Sequence, residues 1–556
     1  MCGICGVYIL GHDNLPDIAT ALNANGLDGN KLVENDASAA GILFLLLKWL
    51  NHRGPHSSGM VTSDGKKMYS HKEMGFAVDI FYQEILESLK GRIGIGNDRY
   101  ATTGGILTEN IQPFSLEQIA LAHNGNLINE RDLRRRIEAE ERELFGYERL
   151  TSTTDSELML HRLLIEQTRN PNKKLEKLIG AAYSGILGAY SNTIIIGNEL
   201  VGIKGPSGTW KLNVAKLGDL VLFATEPIAI RKFVEAARYE LIPTTDYIRE
   251  MDAGEIIVVA PPGPRRYLGC LPKQPERKCS FDESYLSSHE DEKTMQFRKM
   301  IGGFLWERFE VNANYIVPVQ NSGIYYAQGL MEKSGIPING ELIGISEEYT
   351  KSPKRTFMGA TQQLREKGAK DKYVFGKNED YAGKRIILVD DSIVRSTTMR
   401  YLITELRKRG VAELHVRLGT PPSKTPCYYG IHTPTKKELI ANVLVTEDRV
   451  EKYFESIFYG VDYEKHKLVQ LIKGGKTIEQ IVEKSVQEGK NFLEDPQMMV
   501  VQQGKFSLRY LPMADYRRAF KETGFEPDKR CYACMIPNGE GYPTKDRGVL
   551  LRMGRI

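Results

Sequence analysis

The chain has 556 residues, a length that suggests two large domains with appendages. It carries 75 Lys and Arg residues against 71 Asp and Glu residues, and a net charge of only +4 argues against nucleic-acid binding through bulk charge. The hydrophobic fraction of 41% and the charged fraction of 26% exclude a disordered chain. The most apolar run, from Ala39 to Leu50, is interrupted by Lys48 and is too short to span a bilayer, so we expect no membrane partner.

The N-terminal residues predict a cytoplasmic protein. They include neither the basic segment nor the apolar segment of a secretory signal. In that compartment, an odd number of cysteines favours thiol chemistry or metal ligation over disulfides. The seven cysteines are Cys2, Cys5, Cys270, Cys279, Cys427, Cys531 and Cys534.

The order of strand-like and helical patterns predicts two α/β units and a tail. Short apolar runs bounded by Gly and Asn alternate with helical stretches over residues 1–262, which is typical of a layered α/β or α+β domain. Pro261-Pro-Gly-Pro stops the last predicted strand and predicts the boundary there. Residues 263–475 form a second α/β unit, and residues 476–556 form a charged, helical tail with a Cys-x-x-Cys motif.

Cys2 has the features of an N-terminal nucleophile. Met1 precedes a small residue, so we expect its removal, which would leave Cys2 with a free α-amine. The pKa of an α-amine is about 8, so this group can act as the base for the thiol of the same residue. On position alone, a buried packing role for Cys2 is the alternative.

Four motifs downstream of Cys2 resemble those of the class II glutamine amidotransferases. They are Asn51-His-Arg-Gly-Pro-His-Ser-Ser-Gly-Met, Arg99-Tyr-Ala-Thr-Thr-Gly, His123-Asn-Gly-Asn-Leu-Ile-Asn and Ser152-Thr-Thr-Asp-Ser-Glu. The resemblance implies an N-terminal-nucleophile hydrolase fold with four αββα layers. It also implies hydrolysis of glutamine to glutamate and ammonia at Cys2.

The same resemblance implies a role for four further residues. Arg99 would bind the α-carboxylate of glutamine through a bidentate contact, and Asp155 would pair with its α-ammonium group. The Asn124 side chain and the Gly125 backbone N–H would form the oxyanion hole, where glycine permits a close approach.

Two stretches of this half depart from the family pattern. Asn97-Asp98 stands where the family has Gly-His. Gly208-Thr-Trp-Lys-Leu stands where the family has Gly-x-Arg-Pro-Leu, so an arginine is lost at Trp210. We expect these changes to affect the coupling of the glutamine site more than its chemistry.

The segment from Lys384 has the pattern of a phosphate-binding loop. An apolar strand ends in Asp390 and Asp391, and a hydroxyl-rich loop leads into a helix from Met399 to Arg409. A helix N-terminus with successive N–H and hydroxyl donors binds phosphate, and carboxylates at the end of a parallel strand can bind ribose hydroxyls. The residues alone leave the alternative that Asp and Ser simply cap the helix.

The full string Val389-Asp-Asp-Ser-Ile-Val-Arg-Ser-Thr-Thr resembles the motif of type I phosphoribosyltransferases, in the form found in the glutamine phosphoribosylpyrophosphate amidotransferase family. The resemblance covers most of the chain from Cys2 to Thr544. It implies a type I phosphoribosyltransferase α/β domain with a parallel sheet. It further implies transfer of the ammonia to phosphoribosyl pyrophosphate, giving 5-phosphoribosylamine and pyrophosphate, the first committed step of de novo purine synthesis. Purine nucleotides as inhibitors and a homo-oligomer are also expected.

The family motif implies the ligands of this second site. Those for phosphoribosyl pyrophosphate are Asp390, Asp391, Ser392, Arg395, Ser396, Thr397, Thr398 and Arg355, and those for Mg²⁺ are Ser322, Asp390 and Asp391. Ser396 replaces a glycine of the family and is a handicap if the position needs a positive φ. Asn321 replaces a carboxylate. Two alternatives therefore stay open: a divergent amidotransferase acting on another phosphorylated sugar, and a non-catalytic regulatory paralogue.

Four cysteines form a candidate metal site. Cys531 and Cys534 have the Cys-x-x-Cys spacing that chelates one metal centre, which on its own is also half of a zinc site. The resemblance nominates Cys279 and Cys427 as the other two ligands, because one subgroup of the family holds a four-iron, four-sulfur cluster in this way. Structural Zn²⁺ is the competing interpretation. Cys5 and Cys270 are interpreted as packing residues.

Overall fold

The computed structural model describes residues 2–11, 15–101, 104–347, 349, 368–431, 433, 436–461, 465–488 and 506–536. The predicted ligand Arg355 lies outside the described residues. Among the helices that are described, none has both the length and the apolar composition that crossing a membrane would require.

Two antiparallel sheets form the core of the first half. The strands of the first sheet are β1 (Gly3–Ile9), β2 (Ser57–Ser63), β3 (Met68–Met74), β4 (Ile93–Arg99), β9 (Asn213–Leu217), β10 (Leu220–Ala224) and β11 (Tyr247–Glu250), in the spatial order β11-β9-β10-β1-β4-β2-β3. Those of the second are β5 (Phe114–Leu116), β6 (Ile119–Leu127), β7 (Gly188–Ile196), β8 (Glu199–Lys204), β12 (Ile256–Ala260) and β13 (Gly263–Tyr267), in the order β13-β12-β8-β7-β6-β5.

Helices cover the outer face of each sheet. The first sheet packs on α1 (Leu15–Asn23), α2 (Gly29–Glu34), α3 (Ser38–Leu50), α4 (Ala77–Ile80), α5 (Gln83–Ser88) and α9 (Pro227–Ala237). The second packs on α6 (Glu130–Phe145), α7 (Asp155–Arg169) and α8 (Leu175–Ala182). The inner faces of the two sheets meet through apolar side chains such as Ile95 and Phe223. The predicted αββα layering is confirmed.

A parallel sheet organises the second half. Its strands are β15 (Tyr315–Pro318), β18 (Arg385–Asp390), β19 (Glu413–Leu418) and β20 (Phe506–Tyr510), in that spatial order. One face packs on α10 (Glu292–Arg308), α11 (Ile324–Ser334) and α17 (Met513–Glu522). The other packs on α12 (Thr397–Lys408), α13 (Ile440–Leu444), α14 (Glu447–Phe458), α15 (Lys465–Lys473) and α16 (Ile478–Gln487). Burial on both faces explains why β18 is a continuous apolar run, as parallel strands usually are.

Two short strand pairs complete the structure. An antiparallel pair joins β16 (Ile343–Ile345) to β17 (Tyr373–Phe375), beside the parallel sheet. A parallel pair joins β14 (Lys278–Cys279) to β21 (Arg530–Cys531) and so ties the middle of the chain to its C-terminal part. A π-helix follows β14 at Asp282–Leu286.

Two strands lie beyond the positions at which the sequence predicted their units to end. Pro261 and Pro262 form the turn of a hairpin, and β13 pairs with β12 in the second sheet, past the predicted boundary at residue 262. Proline is tolerated in β13 because that strand lies at the edge of its sheet. Similarly, β20 falls in the predicted helical tail of residues 476–556 but pairs with β19 in the parallel sheet.

Candidate functional site

Cys2 lies at the beginning of β1, next to the end of β4. Only 7% of its surface is exposed. Its Sγ lies 3.5 Å from the backbone N of Tyr100 and 3.8 Å from the backbone O of that residue. Its backbone N–H donates to Oδ1 of Asn124 on β6, at 3.1 Å. The two sheets therefore bring together two predicted residues that are 122 positions apart.

The predicted oxyanion hole contains an unused hydrogen-bond donor. Asn124 is fully buried, and its Nδ2 has no hydrogen-bond partner among the described residues, whereas buried polar groups are nearly always paired. Gly125 follows with φ of +156°, and a Cβ there would lie 2.0 Å from the backbone O of Ala189. Only glycine fits this close approach, so the backbone N–H of residue 125 keeps its place beside the amide of Asn124.

Arg99 and Asp155 lie at the same end of the two sheets. Arg99 ends β4 and is 3% exposed, and Asp155 is the first residue of α7. Burial raises the pKa of Asp155 to about 6, although a hydrogen bond of 2.8 Å from Leu127 N and the nearby Arg99 oppose the shift. A buried cation and a buried carboxylate thus interact with each other, and the cation also interacts with Cys2.

Two histidines near this centre were not singled out from the sequence. His56 Nδ1 accepts a hydrogen bond of 3.0 Å from the N–H of Ala101, which holds the segment after Arg99. His123 Nδ1 lies 2.9 Å from Ser156 Oγ, and burial lowers the pKa of His123 to about 3, so its ring is neutral. Both occur in the quoted motifs, but nothing in the motifs distinguishes a supporting histidine from a reacting one.

The second predicted site is a cavity of about 310 Å³ at the C-terminal end of β18. Its wall includes all the described residues predicted to bind the sugar phosphate: Asp390, Asp391, Ser392, Arg395, Ser396, Thr397 and Thr398, together with Ser322. Ser322 Oγ donates to Asp390 Oδ1 at 2.7 Å. Arg395 forms an ion pair with Glu438 through its Nε.

Burial disfavours the charged forms of the two aspartates. It raises the pKa of Asp390, helped by the neighbouring charge of Asp391, and it raises the pKa of Asp391 as well. Two carboxylates and a hydroxyl are hard oxygen ligands, which suit Mg²⁺. The residues present therefore fit the predicted ion.

Lys372 is a further charged residue of this cavity that the sequence analysis missed. Its Nζ lies 4.7 Å from the ring centroid of Tyr373 and 5.7 Å from that of Tyr349. Burial lowers the pKa of Lys372, whereas Asp390 and Asp391 raise it. Lys372 directly precedes β17, and the pairing of β16 with β17 holds this segment beside the cavity.

Ser396, which replaces a glycine of the family, adopts a backbone conformation with positive φ. Its φ is +74° and its ψ is −20°, immediately before α12 begins. A non-glycine residue in the left-handed region costs roughly 1–2 kcal/mol. The handicap predicted for a positive φ is therefore present, and Ser396 lines the cavity in spite of it.

Tyr100 belongs to both sites. Its backbone contacts Cys2, and the residue also lines the cavity of Asp390 and Asp391. It interacts electrostatically with Arg395 of the phosphate loop. Tyr100 is thus in contact with the sulfur of the first site and forms part of the wall of the second cavity.

The four predicted cysteine ligands lie together. Cys279 and Cys531 are direct neighbours across the parallel pair of β14 and β21. The backbone O of Cys534 accepts hydrogen bonds of 2.7 and 3.0 Å from the N–H groups of Lys424 and Thr425, close to Cys427. Burial raises the pKa of Cys279, and the charges of the other three sulfurs add to the shift. Cys5 lies in the apolar core of the first half.

The cysteines are not arranged around a single ion. Within the described part of the chain, no three His, Cys, Asp or Glu side chains are placed to hold one metal ion. Thiolates ligate both structural zinc and iron–sulfur clusters, so the residue types alone fit either group.

Comparison with known proteins shows the family. Amidophosphoribosyltransferase of Methanothermobacter thermautotrophicus is 36% identical over 431 residues, which are 76% of this chain and 86% of the relative. The chain belongs to the amidophosphoribosyltransferase family. The Bacillus subtilis member of the family is 32% identical over 454 residues, 79% of this chain and 83% of that relative. No protein-family model matches the chain.

Solved structures of amidophosphoribosyltransferases share the whole fold. Glutamine phosphoribosylpyrophosphate amidotransferase from B. subtilis, complexed with ADP and GMP, matches with a TM-score of 0.69 and 25% identity over 98% of both chains. A structure described as the allosteric regulatory enzyme of purine biosynthesis matches with a TM-score of 0.70 and 26% identity over 98% of this chain and 97% of that one. The fold predicted from the sequence, an N-terminal-nucleophile hydrolase domain followed by a type I phosphoribosyltransferase domain, is confirmed.

Proposed function

We propose that the chain is a working glutamine-dependent amidophosphoribosyltransferase, which makes 5-phosphoribosylamine, glutamate and pyrophosphate from glutamine and phosphoribosyl pyrophosphate. The observation that carries the proposal is Tyr100, which contacts Cys2 and also lines the cavity of Asp390 and Asp391. Ammonia released at the sulfur therefore has a short way to a sugar held in that cavity.

The glutaminase step follows from the contacts of Cys2. After removal of Met1, the α-amine takes the thiol proton, and Sγ attacks the side-chain carbonyl of glutamine. Asn124 has two roles. Its Oδ1 accepts a hydrogen bond from the nitrogen of Cys2, and its Nδ2 is left to donate a hydrogen bond to the oxyanion. With the Gly125 N–H, it stabilises the charge of the tetrahedral intermediate. The α-ammonium group returns its proton to the leaving nitrogen, ammonia departs, and water then hydrolyses the thioester to glutamate.

The transferase step uses the loop between β18 and α12. Hydroxyl and N–H groups at the start of α12 hold the 5′-phosphate, and Asp390 and Asp391 face the ribose and pyrophosphate. Ser322, Asp390 and Asp391 would hold Mg²⁺, which supplies positive charge to the leaving pyrophosphate. Lys372 adds a second positive charge in the same cavity. Arg355 is proposed as a further phosphate ligand from the sequence motif alone.

The pKa of Asp155 predicts a pH profile for glutamine use. Below about pH 6 this carboxyl becomes neutral and can no longer pair with the α-ammonium group of glutamine. We expect kcat/KM for glutamine to fall as the pH drops through this value, by about tenfold per pH unit. Asp155→Asn should give a uniformly low kcat/KM without this inflection. An inflection near the ordinary carboxyl pKa of about 4 would contradict the assignment.

We also propose that Cys279, Cys427, Cys531 and Cys534 hold a four-iron, four-sulfur cluster that clamps the C-terminal part to both halves. Anaerobically purified protein should contain about four iron and four sulfide ions per chain. Cys279→Ser should lose them and melt at a lower temperature, whereas Cys270→Ser should keep them. Stoichiometric zinc in place of iron would favour the structural Zn²⁺ alternative.

Two further properties are proposed on the resemblance. The B. subtilis enzyme was solved with ADP and GMP, which supports purine nucleotides as inhibitors of this chain. A homo-oligomer is proposed from the resemblance to the family, and the cytoplasmic location stays an expectation.

The decisive experiment assays the anaerobic protein with glutamine, or with ammonium, in the presence of Mg²⁺ and phosphoribosyl pyrophosphate. We expect equal amounts of glutamate and pyrophosphate from glutamine, and pyrophosphate alone with ammonium. Glutamate from glutamine, with no pyrophosphate from either nitrogen donor, would mean that Ser396 and Asn321 have redirected the second site to another sugar. If neither product forms, the chain is a regulatory paralogue.

A further inference from the structure

Six buried charged side chains form a connected row of ion pairs between the two halves, and His52 contacts one end of it at Glu226. The cations are Arg53, Lys211 and Arg530, and the anions are Glu226, Asp282 and Glu283. We call them the charge network. All are buried except that Lys211 keeps 18% of its side chain exposed. Three positive charges balance three negative charges, as burial requires.

The network holds the joining segment, which we define as residues 279–288. Lys211 Nζ lies 2.7 Å from Glu283 Oε2, 2.8 Å from Ser287 Oγ and 3.2 Å from Asp282 Oδ2, three contacts within the joining segment. Burial opposes the charge of Lys211, but Glu283 and Asp282 raise its pKa.

The opposite side of the joining segment forms part of the transferase cavity. Phe281, Tyr285 and Leu286 line that cavity. The acidic residues that Lys211 binds, Asp282 and Glu283, lie between Phe281 and Tyr285 in the sequence. The π-helix of this segment directs the two sets to different sides. The position of the joining segment is therefore set by Lys211 on one side, and the other side of the segment forms part of the cavity wall.

Arg53 connects the same segment to the glutamine centre. Its guanidinium contacts Asp282 Oδ1 at 2.9 Å and Glu226 Oε1 at 2.6 Å. The loop that carries it packs tightly on the end of β4, because a Cβ at Gly54 would lie 2.1 Å from Asp98 O. His56 in that loop accepts from Ala101 N, next to Tyr100. This loop therefore links the joining segment by direct contacts to the backbone beside Arg99 and Tyr100.

We propose that Lys211 is a positioning residue that couples the glutamine centre to the transferase cavity by fixing the joining segment. It stands in the Gly-Thr-Trp-Lys-Leu stretch that departs from the family pattern. Trp210 beside it makes a second contact between the halves, since its Nε1 donates to Tyr429 O at 2.8 Å. This inference rests on the proposed function.

The test is Lys211→Met, with Lys211→Arg as the conservative variant and Lys204→Met as the control. Lys204 is a more deeply buried lysine, whose Nζ contacts the Glu250 carboxylate and the backbone O of Met251 in the first half. In Lys211→Met we expect the stimulation of glutaminase by phosphoribosyl pyrophosphate to fall about fivefold or more, with glutamate exceeding pyrophosphate. Unstimulated glutaminase and ammonium-dependent pyrophosphate release should stay unchanged. Lys211→Arg should recover most of the stimulation, and Lys204→Met should retain it.

Three results would overturn the proposal: no stimulation in the wild type, full stimulation in Lys211→Met, or a parallel loss of ammonium-dependent release, which indicates a general structural role. If Lys211→Met does not fold, Glu283→Gln is judged by the same readouts. Failure of the proposed function is recognised separately, because the wild type would then release no pyrophosphate from either nitrogen donor.

Discussion

Replacing Cys2 with Ala is expected to abolish glutamine-dependent pyrophosphate release, by about 10³-fold or more, because no other group can form the thioester. Ammonium-dependent release should continue at the wild-type rate, since the cavity of Asp390 and Asp391 does not use the sulfur. The measurement is pyrophosphate release at saturating phosphoribosyl pyrophosphate with each nitrogen donor in turn.

The matched control for this experiment is Cys5→Ala, which removes a buried thiol from the same strand. Cys5 faces the helices of the first half, so its loss should lower the melting temperature and leave the glutamine rate unchanged. If glutamine turnover survives in Cys2→Ala, the assignment of Cys2 as the nucleophile is refuted. Mass spectrometry that finds Met1 retained in fully active protein would refute it as well, because the α-amine would then be unavailable as a base.

Asp390→Asn and Asp391→Asn are each expected to reduce pyrophosphate release with both nitrogen donors, by roughly 10³-fold. Each amide keeps the shape of the carboxylate but removes a negative charge that would hold Mg²⁺ and face the ribose. Basal glutaminase at Cys2 should persist. The aspartate variants thus lose the transferase reaction and keep glutaminase, whereas Cys2→Ala loses glutaminase and keeps ammonium-dependent transfer.

A stability measurement distinguishes a catalytic loss in these variants from misfolding. Burial raises the pKa of both carboxyls, so the native protein without its ion is weakened by their charge at neutral pH. The neutral amides should therefore melt at the same or a higher temperature. Asp371→Asn, at an exposed carboxylate nearby, serves as the control and should change neither rate. Wild-type transfer by Asp391→Asn would show that the cavity is not the transferase site.

Local patterns predicted much of the fold and most of the candidate site. Strand β18 was predictable because burial on both faces demands an uninterrupted apolar run, and the residues that follow it fall into the cavity for that reason. The concern over Ser396 was also local, since φ at that position is a property of the turn before α12.

The features that sequence reasoning missed depend on contacts between distant residues. Strand β20 follows a charged stretch, and only its pairing with β19 identifies it as a sheet strand. Lys372 reaches the cavity through the pairing of β16 with β17, which no motif encodes. The charge network is assembled from residues 53 to 530, and its members look like ordinary surface charges when taken singly.

The pairing of β14 with β21 has a consequence for the order of events during synthesis. A ribosome makes the chain from its N-terminus, and domains generally fold as they emerge. The sheets around Cys2 are synthesised long before Arg530 and Cys531. Glu283 therefore lacks its ion pair with Arg530 until the C-terminal part has been translated. A nascent chain therefore carries an assembled thiol centre before β21 can tie the C-terminal part to the segment that begins at Cys279.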